Sequence, residues 1–209
     1  GHVIKVPMIE IQTVGAGGGS IGWIDPGGAL QVGPHSAGAD PGPACYGFGG
    51  TEPTVTDANV VLGRVNPDYF LGGEMKINPR LSEQAVRDRI SQPLGLGLEQ
   101  AAEGMLKVIN AVMVKAIRRL SVERGYDPRD FTLISFGGGG PLHAVDLALD
   151  LQIPRVLVPP APGVSSALGL LTADFRHDYV RTLLWNTAEH SLAGGNCRGG
   201  YRPRNCAGT

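Results

Sequence analysis

Residues 134–144 are Ile-Ser-Phe-Gly-Gly-Gly-Gly-Pro-Leu-His-Ala, an apolar run followed by four glycines and a proline that begins an apolar helical pattern. This order predicts a strand, a loop and a helix. Four glycines let the backbone adopt positive φ and approach a ligand closely, and Pro141 suits the first turn of a helix, whose free N–H groups favour anions. The stretch predicts either a binding loop for a nucleotide or similar polar ligand, or a tight turn that serves packing alone. The candidate nucleotide-binding residues are Gly137, Gly138, Gly139, Gly140 and Pro141.

The segments around this loop predict an α/β fold. Residues 131–136 and 155–158 are short apolar stretches typical of buried strands, and residues 142–151 and 164–173 have helical patterns. Strand, helix, strand and helix at this spacing predict a parallel βαβ unit. We expect a mixed sheet with flanking helices.

One long helix is predicted over residues 98–124, where apolar side chains recur every three or four residues. A shorter helix is predicted over residues 58–62, after capping residues at 54–57, and another over residues 81–94, with Ser82 as its cap.

The first third of the chain predicts strands and loops. Residues 8–14 alternate apolar and polar side chains, which predicts a strand that ends in a glycine run. Residues 21–24 and 29–32 flank Asp25-Pro-Gly-Gly28, which predicts a hairpin turn. Residues 33–50 are too rich in proline and glycine for a helix and predict a structured loop.

Composition narrows the function classes. A net charge of −1 without a basic cluster disfavours nucleic acid as a partner. Three cysteines without a CxxC pair argue against a zinc site or a disulfide framework, and no stretch approaches the ~20 apolar residues of a membrane span. We therefore expect a cytoplasmic protein with no membrane partner. From residue 185 the sequence loses apolar periodicity, so we expect a folded part over residues 1–184 and a disordered tail over 185–209.

A second glycine run, Gly17-Gly-Gly-Ser-Ile-Gly22, formally matches the GxGxxG pattern. A strand and a turn follow it where a dinucleotide fingerprint needs a helix, so we reject a Rossmann site, and the chain contains no GxxxxGK[ST] motif. The run either holds phosphate or substrate oxygens through backbone N–H groups or is a glycine-rich strand crossing. The candidate residues are Gly17, Gly18, Gly19 and Ser20.

Three side chains are catalytic candidates: Asp40, Asp57 and His143. Asp40, in Asp-Pro-Gly, either serves turn chemistry or holds Mg²⁺ through water or orients a nucleophile, and for Asp57 the alternative is a helix-terminus acid. His143 begins the helix after the glycines, where its ring either reaches a ligand or donates to a neighbouring carbonyl group. No metal site is predicted with certainty, and Cys45 is expected to be a small buried residue rather than a nucleophile.

Four motifs carry a family resemblance: Thr13-Val-Gly-Ala-Gly-Gly-Gly-Ser-Ile-Gly-Trp-Ile-Asp25, Ser36-Ala-Gly-Ala-Asp-Pro-Gly-Pro-Ala-Cys-Tyr-Gly47, Thr54-Val-Thr-Asp-Ala-Asn59 and Phe136-Gly-Gly-Gly-Gly-Pro-Leu-His-Ala144. Together they resemble the hydantoinase A family, which contains ATP-dependent N-methylhydantoinase, 5-oxoprolinase and subunits of acetone and acetophenone carboxylases. The resemblance covers residues 5–183, and the tail does not share it.

The resemblance implies an actin-like ATPase (ribonuclease H-like) half, in which residues 134–144 form the adenosine-side loop. It implies ATP and Mg²⁺ as cofactors, a small cyclic amide or carbonyl substrate, and a hydantoinase B-type partner subunit or domain. The family's Asp-Gly-Gly-Thr-type phosphate loops have no counterpart in this chain, so we expect a C-terminal segment of a longer protein that is inactive alone. The expected function is a fragment of an ATP-dependent cyclic-amide hydrolase. The alternatives are an ATP-dependent carboxylase subunit of the acetone carboxylase type, or a non-catalytic nucleotide-binding or interaction module that docks a partner on the long helix.

Overall fold

The computed structural model of the protein describes residues 9–174, and the elements given below belong to one compact unit that ends at Thr172. The predicted boundary at residue 184 and the predicted tail lie outside the described residues.

A β-hairpin opens the fold. Strand β1 (Ser20–Ile24) pairs antiparallel with β2 (Leu30–Ser36), and the Oδ1 atom of Asp25 accepts the N–H groups of Gly27 and Ala29, both at 2.9 Å. The predicted hairpin turn is therefore confirmed.

The strand predicted over residues 8–14 is wrong where the structure describes it. Residues 9–14 adopt no regular structure, and Ile9 and Ile11 are 84% and 78% exposed. An alternating pattern makes a strand only when another strand supplies hydrogen-bond partners, and none does so for this segment within residues 9–174.

Three short helical segments follow. Helix α1 (Val55–Val61) begins with a capping box in which Thr54 and Asp57 satisfy each other's backbone N–H groups. Helix α2 (Pro79–Val86) is capped by Asn78 and not by Ser82 as predicted, because the Ser82 hydroxyl donates to another group, Asp57. A π-helical turn (Arg87–Ser91) continues α2 into α3 (Gln92–Leu94).

Helix α4 (Leu98–Leu120) is the predicted long helix, followed by a 3₁₀ turn. It packs against α1, α2 and the hairpin. At Gly22 a Cβ atom would lie 2.6 Å from the Met105 Cε atom, so β1 lies this close to α4 because it carries no side chain there. The core residues are Val32, Val55, Ala58, Val86, Ile90, Ala101, Ala102, Met105, Leu106 and Ile109. Because this core uses the first part of the apolar stripe of α4, that part is not free to dock a partner. Val112, farther along the stripe, is 36% exposed, and docking of a partner on α4 stays a prediction.

The predicted parallel βαβ unit is confirmed. Strand β3 (Thr132–Ile134) leads into α5 (Gly140–Leu151), β4 (Arg155–Leu157) pairs parallel with β3, and α6 (Ser165–Thr172) follows. The two strands are not buried as predicted: Ile134 is 57% exposed, because each strand has three residues and the sheet has two strands.

The fold is therefore α/β. In the described part of the chain the sheet predicted as mixed is present as two separate two-stranded sheets, one antiparallel and one parallel. No helix in residues 9–174 combines the length and apolar character needed to cross a bilayer.

Candidate functional site

The loop of residues 137–140, here called the helix-side glycine loop, presents bare backbone to open space. Gly137 has a φ of 86° and donates its N–H to the carbonyl oxygen of Pro162 at 2.8 Å, which fixes the start of the loop. Gly139 is the N-cap of α5. A Cβ atom on Gly138 would meet nothing within 4 Å, and within residues 9–174 no acceptor contacts the N–H groups of Gly138 and Gly139. The geometry suits a ligand, and nucleotide binding there stays a prediction.

The loop of residues 17–20, here called the hairpin-side glycine loop, is held in place by hydrogen bonds. The carbonyl oxygen of Gly18 accepts the Thr56 N–H at 2.8 Å and the Thr56 hydroxyl at 3.0 Å, which ties the loop to the first turn of α1. The Ser20 hydroxyl accepts the Gly17 N–H at 3.0 Å. A Cβ atom on Gly18 would lie 2.7 Å from the Thr56 Oγ1 atom, so this loop has no room for a side chain there.

The structure brings the two glycine loops together. A Cβ atom on Gly139 would lie 4.0 Å from the backbone nitrogen of Gly18, which is ordinary van der Waals contact. Two runs that are far apart in the sequence therefore lie next to each other, backbone beside backbone.

Asp40 lies in an open groove beside the hairpin-side loop. The groove has a volume of about 540 Å³, and its charged residues are Asp40, Glu52 and Arg89. Ser36 also lines it, and the Ser36 hydroxyl lies 2.7 Å from the position of a Gly19 side chain, so groove and loop adjoin. Within residues 9–174 no donor contacts the Asp40 carboxylate, so it does not cap the turn that contains it.

Asp57 is fully buried and accepts five hydrogen bonds. Its Oδ1 atom accepts the Cys45 N–H at 2.9 Å and the Ser82 hydroxyl at 2.7 Å. Its Oδ2 atom accepts the Ala44 N–H at 3.1 Å, and the N–H and hydroxyl of Thr54 at 2.9 and 2.7 Å. Both oxygens are occupied, which favours the structural alternative for this residue; its catalytic role has no support in this geometry.

Cys45 is buried beside Asp57, as the sequence predicts. Burial, and next the negative charge of Asp57, raise the pKa of the Cys45 thiol to about 12. A thiol that stays protonated at neutral pH is not a nucleophile.

His143 is 2% exposed in the first turns of α5, and its Nδ1 atom lies 2.7 Å from the Oδ1 atom of Asn110 on α4. Asn110 in turn donates from Nδ2 to the Oδ2 atom of Asp146 at 3.4 Å, and Arg64 pairs with the same oxygen at 3.1 Å. Burial, and next the charge of Arg64, lower the pKa of His143, while Asp146 opposes them.

The sequence gives no local signal for Asn110, Asp146 or Ser82, because each acts on a residue far away in the chain. No cluster of three metal-ligating side chains occurs within residues 9–174.

The sequence profile of the hydantoinase/oxoprolinase family matches residues 1–179. This chain belongs to that family. The match confirms the resemblance drawn from the sequence motifs.

Relatives in the family are named for different substrates. The caprolactamase subunit alpha of Pseudomonas jessenii is 49% identical over 180 residues, which are 86% of this chain and 26% of that protein. The acetophenone carboxylase gamma subunit of Aromatoleum aromaticum is 47% identical over 181 residues, 86% of this chain and 24% of that protein. This family member therefore spans about a quarter of the length of these two relatives.

The fold is similar to that of a solved relative. The crystal structure of ATP-dependent caprolactamase from Pseudomonas jessenii superposes with a TM-score of 0.76 at 49% identity, over 83% of this chain and 25% of that one. This likeness confirms the α/β, actin-like fold class for this family member.

Proposed function

We propose that this chain works as part of an ATP-dependent enzyme that hydrolyses a cyclic amide. In this proposal the helix-side glycine loop holds the adenosine part of ATP, and the hairpin-side loop and the Asp40 groove form part of the phosphate and substrate site. The similarity to a caprolactamase subunit supports the cyclic amide as substrate.

The observation that carries the proposal is the approach of Gly139 to Gly18. Backbone N–H groups of two neighbouring glycine loops, beside the start of a helix, suit phosphate and sugar oxygens, because these donors need no reorganisation when charge develops on the ligand. Phosphoryl transfer depends mainly on such positioned donors and on Mg²⁺.

The candidate carboxylates differ in their fitness for Mg²⁺. Both oxygens of Asp57 accept hydrogen bonds, whereas neither oxygen of Asp40, in an open groove, has a donor within residues 9–174. One carboxylate with water and ATP phosphates is an ordinary magnesium environment, since the ion keeps several waters. We propose Asp40 as the residue that holds Mg²⁺ through water or orients the substrate, while His143 contacts the nucleotide side of the site.

A partner and a second reaction belong to this proposal. The relatives are named as subunits, which supports a hydantoinase B-type partner subunit or domain. The similarity to an acetophenone carboxylase subunit supports a second candidate function, the ATP-dependent carboxylation of a carbonyl compound.

Gly138→Val in the full-length protein tests the nucleotide site. The new side chain would project into open space, so the fold should persist while ATP binding weakens by about tenfold or more. Gly169→Val on the exposed α6 is the matched control, since a Cβ atom there also meets nothing within 4 Å. Calorimetric ATP affinities that are equal for wild type and Gly138→Val, with both folded, would remove the loop from the site.

The reaction is identified by ATP turnover. Purified full-length protein with its partner subunit should release ADP with caprolactam, 5-oxoproline or hydantoin. Turnover only with a ketone and bicarbonate would favour the carboxylase instead.

A further inference from the structure

Asn110 and His143 form a buried pair next to the helix-side glycine loop, and the proposed function gives no role to Asn110. His143 is two residues after Pro141, and Asn110 is 5% exposed on the neighbouring helix α4. The inference drawn from this pair rests on the proposed function, because it concerns the ligand of the same loop.

The orientation of the Asn110 amide follows from its other partner. The Asp146 carboxylate only accepts hydrogen bonds, and it faces the Nδ2 atom of Asn110 at 3.4 Å. The ion pair with Arg64 holds that carboxylate in place. The Oδ1 atom of Asn110 is therefore the one that faces His143.

This orientation decides where the imidazole carries its proton. An amide oxygen only accepts, so the Nδ1 atom of His143, at 2.7 Å, must be the donor. In a neutral ring with the proton on Nδ1, the Nε2 atom is a bare acceptor. Burial and the nearby Arg64 charge favour the neutral ring.

The Nε2 atom remains available to a ligand. Within residues 9–174 it has no hydrogen-bond partner, so these residues leave its lone pair unused. The residue as a whole is 2% exposed.

We infer that Asn110 positions His143 so that its Nε2 atom accepts a hydrogen bond from a hydroxyl or amino group of the nucleoside held by the helix-side glycine loop. A bare nitrogen lone pair repels phosphate oxygens, so the phosphates bind elsewhere along the two glycine loops. The group at Nε2 must be a donor, and adenosine offers donors only on its ribose and on the amino group of its base. His143 thereby contributes to nucleoside specificity, and Asn110 is a positioning residue.

Nucleotide analogues test the ligand contact. The affinity of wild-type full-length protein for ATP is compared with its affinity for 2′-deoxy-ATP, 3′-deoxy-ATP and purine riboside triphosphate. The analogue that lacks the donor should bind about tenfold more weakly than ATP, which identifies the donor as a ribose hydroxyl or the base amino group. His143→Phe should abolish that preference while binding of the weak analogue stays unchanged. His143→Gln, which retains an acceptor, should restore part of it. Equal preference in wild type and His143→Phe would overturn the contact.

Asn110→Leu tests the positioning role. It removes the acceptor for Nδ1–H, so the analogue preference should fall as in His143→Phe. Nitrogen-15 spectra of ligand-free wild type should show the proton on Nδ1 of His143, and a proton on Nε2 would overturn the inference without reference to ATP. If wild type binds no ATP, the proposed function fails together with the ligand contact, while the spectra still decide the tautomer.

Discussion

Asp57→Asn is expected to loosen the loop that precedes helix α1. The carboxylate holds Ala44 and Cys45 of that loop, Thr54 at the start of α1 and Ser82 of α2. An amide of the same shape keeps one acceptor oxygen and replaces the other with an NH₂ donor. The change therefore tests charge and hydrogen bonding without making a cavity.

The expected loss of stability follows from the five donors that contact the Asp57 carboxylate. In the less costly orientation the NH₂ group replaces Oδ1, where the Ser82 hydroxyl can rotate to accept but the Cys45 N–H cannot. One buried donor without an acceptor costs about 1–3 kcal/mol, and the remaining bonds lose the strength that a charged acceptor gave them. The total is about 3 kcal/mol or more, because the unpaired donor and the weakened bonds add together.

The alkylation rate of the Cys45 thiol reports how often this loop opens, because the thiol is buried in the same turn. When opening is fast and reversible, the alkylation rate follows the population of the open form, so a loss of about 3 kcal/mol should raise the rate at least about 100-fold. Site-resolved mass spectrometry of the Cys45 peptide measures it at constant pH.

Asp25→Asn is the matched control, since that carboxylate also accepts backbone N–H groups but lies in the exposed hairpin turn. It should change the Cys45 rate by less than about fivefold, which corresponds to about 1 kcal/mol. A similar small change for Asp57→Asn would refute the role assigned to the buried carboxylate.

Two further results are expected. Asp40→Asn in the full-length enzyme should lower kcat by ~10²-fold or more with a nearly unchanged melting temperature, because the carboxylate makes no bond to its own turn; near-wild-type turnover would remove it from the site. The free energy of unfolding should also depend on His143, because the pKa of this residue is lowered in the fold. Below about pH 6.5 the unfolded chain binds a proton that the folded chain does not, so the stability present above that pH should fall as pH decreases. Urea midpoints from pH 7.5 to 5 check this against His143→Gln, and parallel curves for the two proteins would contradict it.

The features that local patterns encode could be predicted from the sequence. The apolar stripe of α4, the Asp25 turn and the order β3, α5, β4 each depend on neighbours within a few residues. The strand over residues 8–14 could not be judged in this way, because pairing depends on a distant segment.

The hydrogen bonds of the candidate site could not be predicted from local patterns, because they also join residues that are far apart in the sequence. Asp57 resembles an ordinary capping acid until Ser82 and Cys45 are placed around it, and His143 acquires its partner from another helix. The π-helical turn Arg87–Ser91 was also not predicted, since the same residue types support an α-helix.

The carboxylate of Asp57 also joins parts of the chain that are made at different times. Four of its five donors, on Ala44, Cys45 and Thr54, precede it in the sequence, and the fifth, the Ser82 hydroxyl, follows 25 residues later on α2. One buried group therefore fastens the loop before α1 to the helix that comes after it, and a truncation between residues 57 and 82 would remove that link while the four earlier donors remain.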